Sequence, residues 1–202
     1  LRIRLKEIRR FVNAPVSLQD GLYWNWPFLL EEIQTGIAAA LHQYQVTSIG
    51  CDSWGHDHGF LDKTGKLLEY PYSYMDARAE NAKGLVESNI SPLELQLRTG
   101  GFHTSISTLH QLVATRYMRA DLIEGAETLL FIPGLVEHFL CRAQVTEPCM
   151  ASLTQLYSIN SNGWDIDLMG QFNIPQHIFP PVVLPGQVIG TYAPEGIVPC
   201  KG

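Results

Sequence analysis

A helical repeat of apolar side chains is the clearest pattern in the first quarter of the chain. Apolar residues recur there every three or four positions, which is the spacing of one face of an amphipathic helix. The residues that carry the repeat are Leu30, Ile33, Ile37, Ala40, Leu41 and Tyr44. Asn25 and Pro27 are residue types that favour a helix start, so the sequence predicts a long helix that begins near Asn25.

Shorter helices are predicted from capping residues. A side chain that accepts a backbone hydrogen bond favours a helix start, and glycine favours a helix end. Asp76, Ser91 and Ser107 or Thr108 are such starts, and Gly100-Gly101 is such an end. The predicted short helices cover residues 76–88, 91–100, 107–117 and 135–142.

Alternating or continuously apolar runs predict the strands, and the order of the elements predicts the fold class. The predicted strands are residues 1–12, 46–52, 56–61, 66–70 and 128–132. The turn at Asp62-Lys63-Thr64-Gly65 is expected to make a hairpin, and the prolines after Phe179 impose an extended path. Strands that alternate with helices indicate an α/β fold, and the hairpin favours a mixed sheet flanked by helices over a purely parallel one.

Composition and charge exclude several classes of protein. The chain has 202 residues, 46% of them apolar, and a formal charge of −6. An acidic chain is a poor partner for nucleic acid, and no apolar run approaches the roughly 18 residues of a membrane span. Four cysteines without CxxC pairing, in a chain without a signal peptide, predict reduced thiols and a cytoplasmic location. Because the first residue is Leu1 rather than methionine, the chain is interpreted as a piece of a longer protein.

The richest chemistry lies in the run Trp54-Gly55-His56-Asp57-His58. An indole packs against the C–H face of a sugar, glycine lets the backbone approach a ligand closely, and a carboxylate accepts hydrogen bonds from hydroxyl groups. Trp54, Gly55 and Asp57 are therefore candidates for binding a polyhydroxylated ligand. The alternative is a core tryptophan beside a turn glycine and a surface aspartate.

Asp76 and Arg78 form a second candidate pair. Asp76 suits the N-cap of a helix, whereas a cation in the first turn, such as Arg78, opposes the helix dipole. That position indicates an anionic or hydroxyl-rich partner for Arg78. The alternative is a surface arginine paired with Asp76 or Glu80.

The triplet His56-Asp57-His58 also suggests a metal site, as in a metal-dependent hydrolase. On a strand the two histidines point to one face and Asp57 to the other, so the three cannot bind one ion without a bend. No other cysteine and histidine set has ligand spacing, and no metal site is predicted. The phosphate-binding motifs GxxxxGK[ST] and GxGxxG and the nucleophile motif GxSxG are absent from the sequence.

Ordered motifs across nearly the whole chain resemble the FGGY carbohydrate kinases, most closely their rhamnulokinase members. The longest are Trp54-Gly55-His56-Asp57-His58-Gly59-Phe60 within residues 48–62, and Tyr74-Met75-Asp76-Ala77-Arg78 within residues 71–78. Shorter ones lie at residues 9–13, 24–26, 98–100, 108–112, 129–133, 151–156, 163–165 and 185–190. So many matches in the same order are far more specific than any one of them.

The resemblance implies an actin-like, ribonuclease H-like ATPase fold. Residues 1–202 would be the N-terminal, sugar-binding domain, truncated at both ends and lacking its first strands. The parent would transfer the γ-phosphoryl group of Mg-ATP to a hydroxyl of a ketose such as L-rhamnulose. Its catalytic aspartate and its C-terminal ATP-binding domain would lie beyond Gly202. We therefore expect ATP and Mg²⁺ only in the complete protein, a small sugar and the protein's own C-terminal domain as partners, and negligible kinase activity from this chain alone.

The resemblance also carries over a set of substrate-binding residues. These are Gly55, Trp54, Asp57, Asp76, Arg78 and, from its position only, His103. His56 and His58 replace residues that are apolar or aromatic in relatives of the rhamnulose type, so the identity of the sugar stays open. The alternative function is a non-catalytic sugar-binding or regulatory module of the same fold.

Overall fold

Short strands and helices alternate along the computed structural model, which describes residues 3–18 and 20–192. The strands are β1 (Pro15–Leu18), β2 (Gly21–Trp24), β3 (His58–Leu61), β4 (Thr128–Phe131), β5 (Tyr157–Ser158) and β6 (Gly163–Trp164). The helices are α1 (Trp26–Gln43), α2 (Ala77–Asn81), α3 (Lys83–Glu87), α4 (Pro92–Thr99), α5 (Thr108–Met118), α6 (Ala120–Glu124), α7 (Ile132–Cys141), α8 (Pro148–Ser152) and α9 (Ile166–Gln171). One turn of 3-10 helix follows at Gln176–Ile178.

The strands pair in three small antiparallel sheets. β1 pairs with β2, β3 with β4, and β5 with β6. In the described part of the chain, the expected mixed sheet is reduced to these pairs and three isolated bridges. Two of the bridges are antiparallel, Tyr23 with Tyr72 and Leu61 with Leu67, and one is parallel, Thr146 with Val182. Strands of two to four residues offer too few backbone groups to build a wide sheet, so helices supply most of the packing.

Several predicted elements are confirmed. The Asn25 side chain accepts a hydrogen bond from the Phe28 amide at 3.4 Å at the start of α1. Ser91 caps α4 through the Glu94 amide at 3.1 Å, and Gly100 ends that helix with a φ of 70°. The predicted buried strand is β4, and the path after Phe179 contains no helix or strand as far as residue 192. The prolines at 194 and 199 lie outside the described residues.

Two predicted strands are wrong. Residues 3–12 and 46–52 form no strand, and residues 1 and 2 lie outside the described part. Leu5 is 95% exposed, and Val46 and Ile49 are 37% and 43% exposed. A strand forms when its backbone N–H and C=O groups find a partner, and no described strand lies beside either segment. Alternation of apolar and polar residues shows which side chains would share a face of a strand, but it does not show whether a partner strand is present.

Other differences concern local breaks and short elements. The helix predicted for residues 76–88 is divided at Ala82 into α2 and α3. The hairpin turn at residues 62–65 forms, with the Gly65 amide donating to the Asp62 carbonyl at 2.9 Å, but its second arm is reduced to one bridge at Leu67. Several short elements were not predicted at all. They are the β1–β2 hairpin, the β5–β6 pair, α6, α8, α9 and the 3-10 turn, whose strands and helices are two to six residues long.

The β3–β4 pair separates two hydrophobic clusters and thereby positions the site. Side chains alternate between the two faces of a strand. Phe60, Leu129 and Phe131 face the cluster around α5, whereas Leu61 and Leu130 face the cluster between α1 and α7. Because β3 is fixed from both sides, the turn that enters it is held at the edge of both clusters. Within the described residues, no helix is both long enough and apolar enough to cross a membrane.

Candidate functional site

A buried carboxylate lies at the start of β3 and collects four N–H donors. Asp57 is 0% exposed. Its Oδ2 accepts hydrogen bonds from Trp24 Nε1 at 2.6 Å, Trp54 Nε1 at 3.0 Å and the Tyr74 amide at 3.1 Å. Its Oδ1 accepts one from Gln111 Nε2 at 2.8 Å. The four donors belong to β2, the turn before β3, the segment before α2, and α5, so one side chain joins four parts of the fold.

The partners of Asp57 determine its protonation state. Each of the four is an N–H group that donates and has no lone pair to accept a proton. Oδ2 accepts from three donors, so a proton on Oδ2 would face one of them, and the geometry favours the ionised form. Burial raises the pKa of the Asp57 carboxyl, and hydrogen bonds from Trp24 and Gln111 act in the opposite direction. The hydrogen bonds therefore offset part of the desolvation cost that favours the neutral group.

Three aromatic side chains around Asp57 form what we call the aromatic wall: Trp24, Trp54 and Tyr74. The rings of Trp24 and Trp54 lie 4.5 Å apart, and those of Trp24 and Tyr74 lie 6.3 Å apart. Trp24 is buried, whereas Trp54 and Tyr74 are half-buried. The hydrogen bonds to Asp57 fix the indole edges, so the partly exposed rings are held in defined orientations.

Gly55 follows Trp54 in the chain and lies next to Leu153. A Cβ atom at Gly55 would come within 2.5 Å of Leu153 Cδ1. The next residue, His56, has a φ of 74°, which L-residues rarely adopt. His56 Nδ1 lies 3.2 Å from the Leu153 carbonyl oxygen. Since a carbonyl only accepts, Nδ1 carries the proton and Nε2 is the acceptor nitrogen of the ring.

A cavity of about 380 Å³ opens beside this turn. Among the residues that line it are His56, Gly100, Gly101, Phe102, Leu153 and Ile159. Its lining combines these apolar residues and the His56 imidazole with three hydroxyl-bearing residues, Thr99, Thr104 and Ser152. The turn of the predicted site and the segment after α4 therefore meet at one cavity large enough for a small organic ligand.

Asp76 lies behind the aromatic wall rather than in the cavity. Its Oδ1 accepts from the Arg78 amide at 2.8 Å, which is the predicted cap of α2. Its Oδ2 accepts from the Leu22 amide at 2.6 Å and so joins α2 to β2. Both oxygens have protein partners, which gives Asp76 a clear structural role.

Arg78 is buried, and the alternative of a surface arginine is wrong. Its side chain is 7% exposed, with Cζ 3.5 Å from the centroid of the Tyr72 ring. Its Nη1 donates to Thr115 Oγ1 at 2.9 Å and its Nη2 to Gln111 Oε1 at 3.4 Å. Burial lowers the pKa of Arg78 to about 10, so the guanidinium stays charged at neutral pH. Its Nε is buried without a hydrogen-bond partner among the described residues.

His103 is not among the residues that line the cavity, although its chain neighbours Phe102 and Thr104 are. Its Nε2 lies 3.3 Å from Glu87 Oε1, and its ring meets that of His110 edge to face at 5.6 Å. His110 is 0% exposed, and its Nδ1 lies 2.8 Å from Ser107 Oγ. His103 is therefore near the cavity but separate from the aromatic wall.

The triplet at residues 56–58 does not form an extended strand. The turn at His56 separates the three side chains, and His58 is 4% exposed and packs edge to face on Phe60 at 5.2 Å. In the part of the chain that the structure describes, no group of three or more histidine, cysteine, aspartate or glutamate side chains is arranged to hold a metal ion. The triplet thus has the geometry of a turn entering a buried strand.

The structure connects some of the predicted site residues and separates others. Trp54 and Asp57 are in direct contact, and Arg78 joins them through Gln111. Four residues that contribute to the site had no assigned role from the sequence: Trp24, Tyr74, Gln111 and Leu153. Each of them lies within a motif of the family resemblance, which marked the segments but could not show which side chains meet.

We predict that Asp57→Asn destabilises the fold and loosens the aromatic wall. An amide nitrogen in place of one oxygen would face an N–H donor, and loss of such a buried hydrogen bond to a charged group costs about 2–3 kcal/mol. Urea unfolding should show this loss in the free energy of unfolding, and tryptophan fluorescence should shift to longer wavelength. Asp52→Asn, at an exposed position in the same segment, is the control and should change neither quantity. If Asp57→Asn and Asp52→Asn have the same free energy of unfolding and the same tryptophan emission, the assigned role of Asp57 is contradicted.

A second prediction concerns acid stability. Burial lowers the pKa of His58 to about 3 and that of His110 to about 4, from an ordinary value of 6.5. Below pH 6.5 the unfolded chain takes up protons that the folded chain does not, so stability is lost as the pH falls from 6.5 towards 4. At pH 5 each of these two histidines should lower the free energy of unfolding by roughly 2 kcal/mol.

His58→Phe isolates one of these contributions. The variant should lose less stability than the wild type between pH 7 and pH 5, by roughly 2 kcal/mol in the free energy of unfolding. Between pH 7 and pH 8 the two proteins should share the same pH dependence, which serves as the internal control. If the free energies of unfolding of the two proteins fall equally between pH 7 and pH 5, His58 is protonated in the folded protein and this prediction is wrong.

Comparison with known proteins agrees with this architecture. The family model of the N-terminal domain of the FGGY family of carbohydrate kinases matches residues 17–199. Rhamnulokinase from Oceanobacillus iheyensis is 34% identical over 195 residues, which cover 96% of this chain and 42% of that protein. Rhamnulokinase from Pectobacterium carotovorum is 34% identical over 200 residues, covering 96% of this chain and 40% of that protein. The chain thus spans less than half the length of these relatives.

Solved structures share the fold at lower sequence identity. A xylulose kinase from Rhodospirillum rubrum superposes with a TM-score of 0.80 at 15% identity, covering 91% of this chain and 39% of that one. Plasmodium falciparum glycerol kinase, solved with ADP, gives a TM-score of 0.76 at 18% identity, and the match covers 92% of this chain and 40% of that one. The predicted fold class is confirmed by these likenesses. The match over residues 17–199 shows that the chain belongs to the FGGY family of carbohydrate kinases, in the part that forms its N-terminal domain.

Proposed function

We propose that the chain is the sugar-binding domain of an ATP-dependent carbohydrate kinase. The complete protein would transfer the γ-phosphoryl group of Mg-ATP to a hydroxyl of a ketose such as L-rhamnulose. The observation that carries the proposal is the cavity beside Gly55, next to an aromatic wall whose orientation is fixed by Asp57. Membership of the family, and two relatives named rhamnulokinase, support the reaction and the kind of sugar.

The proposed contacts with the sugar divide into direct and indirect ones. Gly55 lies against Leu153 and next to His56 in the chain, and both of those residues line the cavity. The backbone of Gly55 and the half-buried ring of Trp54 are proposed to touch the sugar. His103, whose chain neighbours Phe102 and Thr104 line the cavity, is proposed as a more distant contact. Asp57 and Asp76 have all their oxygens engaged by the protein, so they are proposed to act by holding the wall in place.

We assign the nucleotide-binding site and the catalytic base to other parts of the protein. The described residues contain neither a glycine-rich phosphate loop nor a set of carboxylates arranged around a metal ion, so this part of the chain does not fit Mg-ATP by itself. A transferred phosphoryl group needs a positioned base and charge stabilisation as well as a bound acceptor. We therefore propose that a C-terminal domain completes the active site and that this chain alone is inactive. We place the protein in the cytoplasm, where the free thiols of Cys51 and Cys149 stay reduced.

The test uses the longest natural protein that contains this sequence. With Mg-ATP and a panel of five- and six-carbon ketoses, we expect ADP release that depends on one or a few sugars. Gly55→Ala should raise the KM for the sugar about tenfold or more, because a Cβ there would come within 2.5 Å of Leu153 Cδ1 and displace this side chain, which lines the cavity. Gly84→Ala is the matched control, since a Cβ there meets no atom within 4 Å.

Two outcomes would contradict the proposal. Sugar binding without ADP release from the complete protein would favour a non-catalytic binding module. Sugar-dependent ADP release from the isolated 202-residue chain would show that the base and nucleotide site lie within it.

A further inference from the structure

Arg78 carries a buried positive charge without a carboxylate at ion-pair distance among the described residues. Arg98 offers the contrast, because its guanidinium binds both oxygens of Asp165 at 2.6 and 2.7 Å. A buried charge is costly unless something compensates it. Around Arg78 the compensation comes from the face of Tyr72, the hydroxyl of Thr115 and the amide oxygen of Gln111.

Gln111 links this charge to the one on Asp57. Its Nε2 donates to Asp57 Oδ1 at 2.8 Å and to the Ile106 carbonyl at 3.0 Å. Both of these atoms accept, so the amide cannot be turned around, and Oε1 must face Arg78. One neutral amide thus lies between a buried cation and a buried anion. Its dipole is aligned with both charges, which is the orientation that stabilises each of them.

The neighbours of Arg78 fix its charge state. His58 from β3 is neutral, partly because the Arg78 charge opposes its protonation. Tyr72, Asp76, Asp57 and Tyr23 are the other titratable groups around Arg78, and each of them favours its charged form. Arg78 therefore provides a permanent positive charge behind the aromatic wall.

We propose that Arg78 and Gln111 are positioning residues for the sugar site. The charge of Arg78, transmitted by the Gln111 amide, keeps Asp57 ionised, and ionised Asp57 holds Trp24 and Trp54 against the Gly55 turn. Neither residue touches the sugar. This inference rests on the proposed function, and it assigns to Arg78 an indirect action in place of the direct sugar contact that its motif suggested.

Gln111→Glu separates this role from a merely structural one. The new carboxylate would sit beside Arg78 and pair with it, so the buried cation stays compensated. The same carboxylate would lack the N–H that Asp57 needs, and the two acids would have to share a proton. We therefore expect the KM for the sugar to rise with pH in this variant, roughly tenfold between pH 6 and pH 8. The KM for ATP should not change.

Two further variants complete the experiment in the longest natural protein that contains this sequence. Arg78→Met removes the charge and should raise the KM for the sugar at every pH. Arg98→Lys, in the separate pair on α4, is the matched control and should leave the KM for the sugar unchanged. The inference is overturned if the KM of Gln111→Glu for the sugar equals that of the wild type at both pH 6 and pH 8.

A spectroscopic measurement decides the inference even if the proposed function fails. If the wild-type protein phosphorylates no ketose, the proposed function is wrong. The fluorescence of Trp24 and Trp54 still reports the state of Asp57, because both indoles donate to it. Gln111→Glu should then show a fluorescence transition between pH 6 and pH 8 that the wild type lacks. A variant whose fluorescence is as flat as that of the wild type would refute the role of Gln111.

Discussion

The ionised carboxylate of Asp57 is the interaction on which the site depends. It is fully buried, and its two oxygens accept four hydrogen bonds from segments that are far apart in sequence. A buried charge is tolerated only when such partners replace water. These bonds therefore hold four parts of the fold in one arrangement: β2, the turn before β3, the segment before α2, and α5. The half-buried wall beside Gly55 is a consequence of that arrangement.

The remainder of the fold supports this carboxylate from two sides. The β3–β4 pair places apolar side chains alternately into two clusters and so fixes the backbone that enters at Asp57. On the opposite side α5 brings Gln111, and its first residue, Thr108, donates to the His56 carbonyl at 2.8 Å. The turn is thus joined to α5 by both a backbone carbonyl and the Asp57 side chain. Such double attachment is a common way to keep a binding turn rigid.

The sequence predicted well what local chemistry decides and poorly what tertiary contact decides. The starts of α1 and α4 and the end of α4 at Gly100 follow from residue types whose effects reach only a few positions. The strands predicted before residue 13 and near residue 49 depended on a partner that no local pattern reveals. The family motifs marked the segments of the candidate site, yet the burial of Asp57 and Arg78 and the connecting role of Gln111 required the packed structure.

The hold of one buried carboxylate on both indoles of the aromatic wall can be measured by nitrogen-15 NMR of the indole Nε1–H groups. We expect the Trp24 and Trp54 indole protons to be shifted downfield, to exchange slowly with water and to move together in Asp57→Asn. A Trp54 indole proton that exchanges as fast as that of a solvent-exposed indole, or that stays unchanged in this variant, would contradict this expectation.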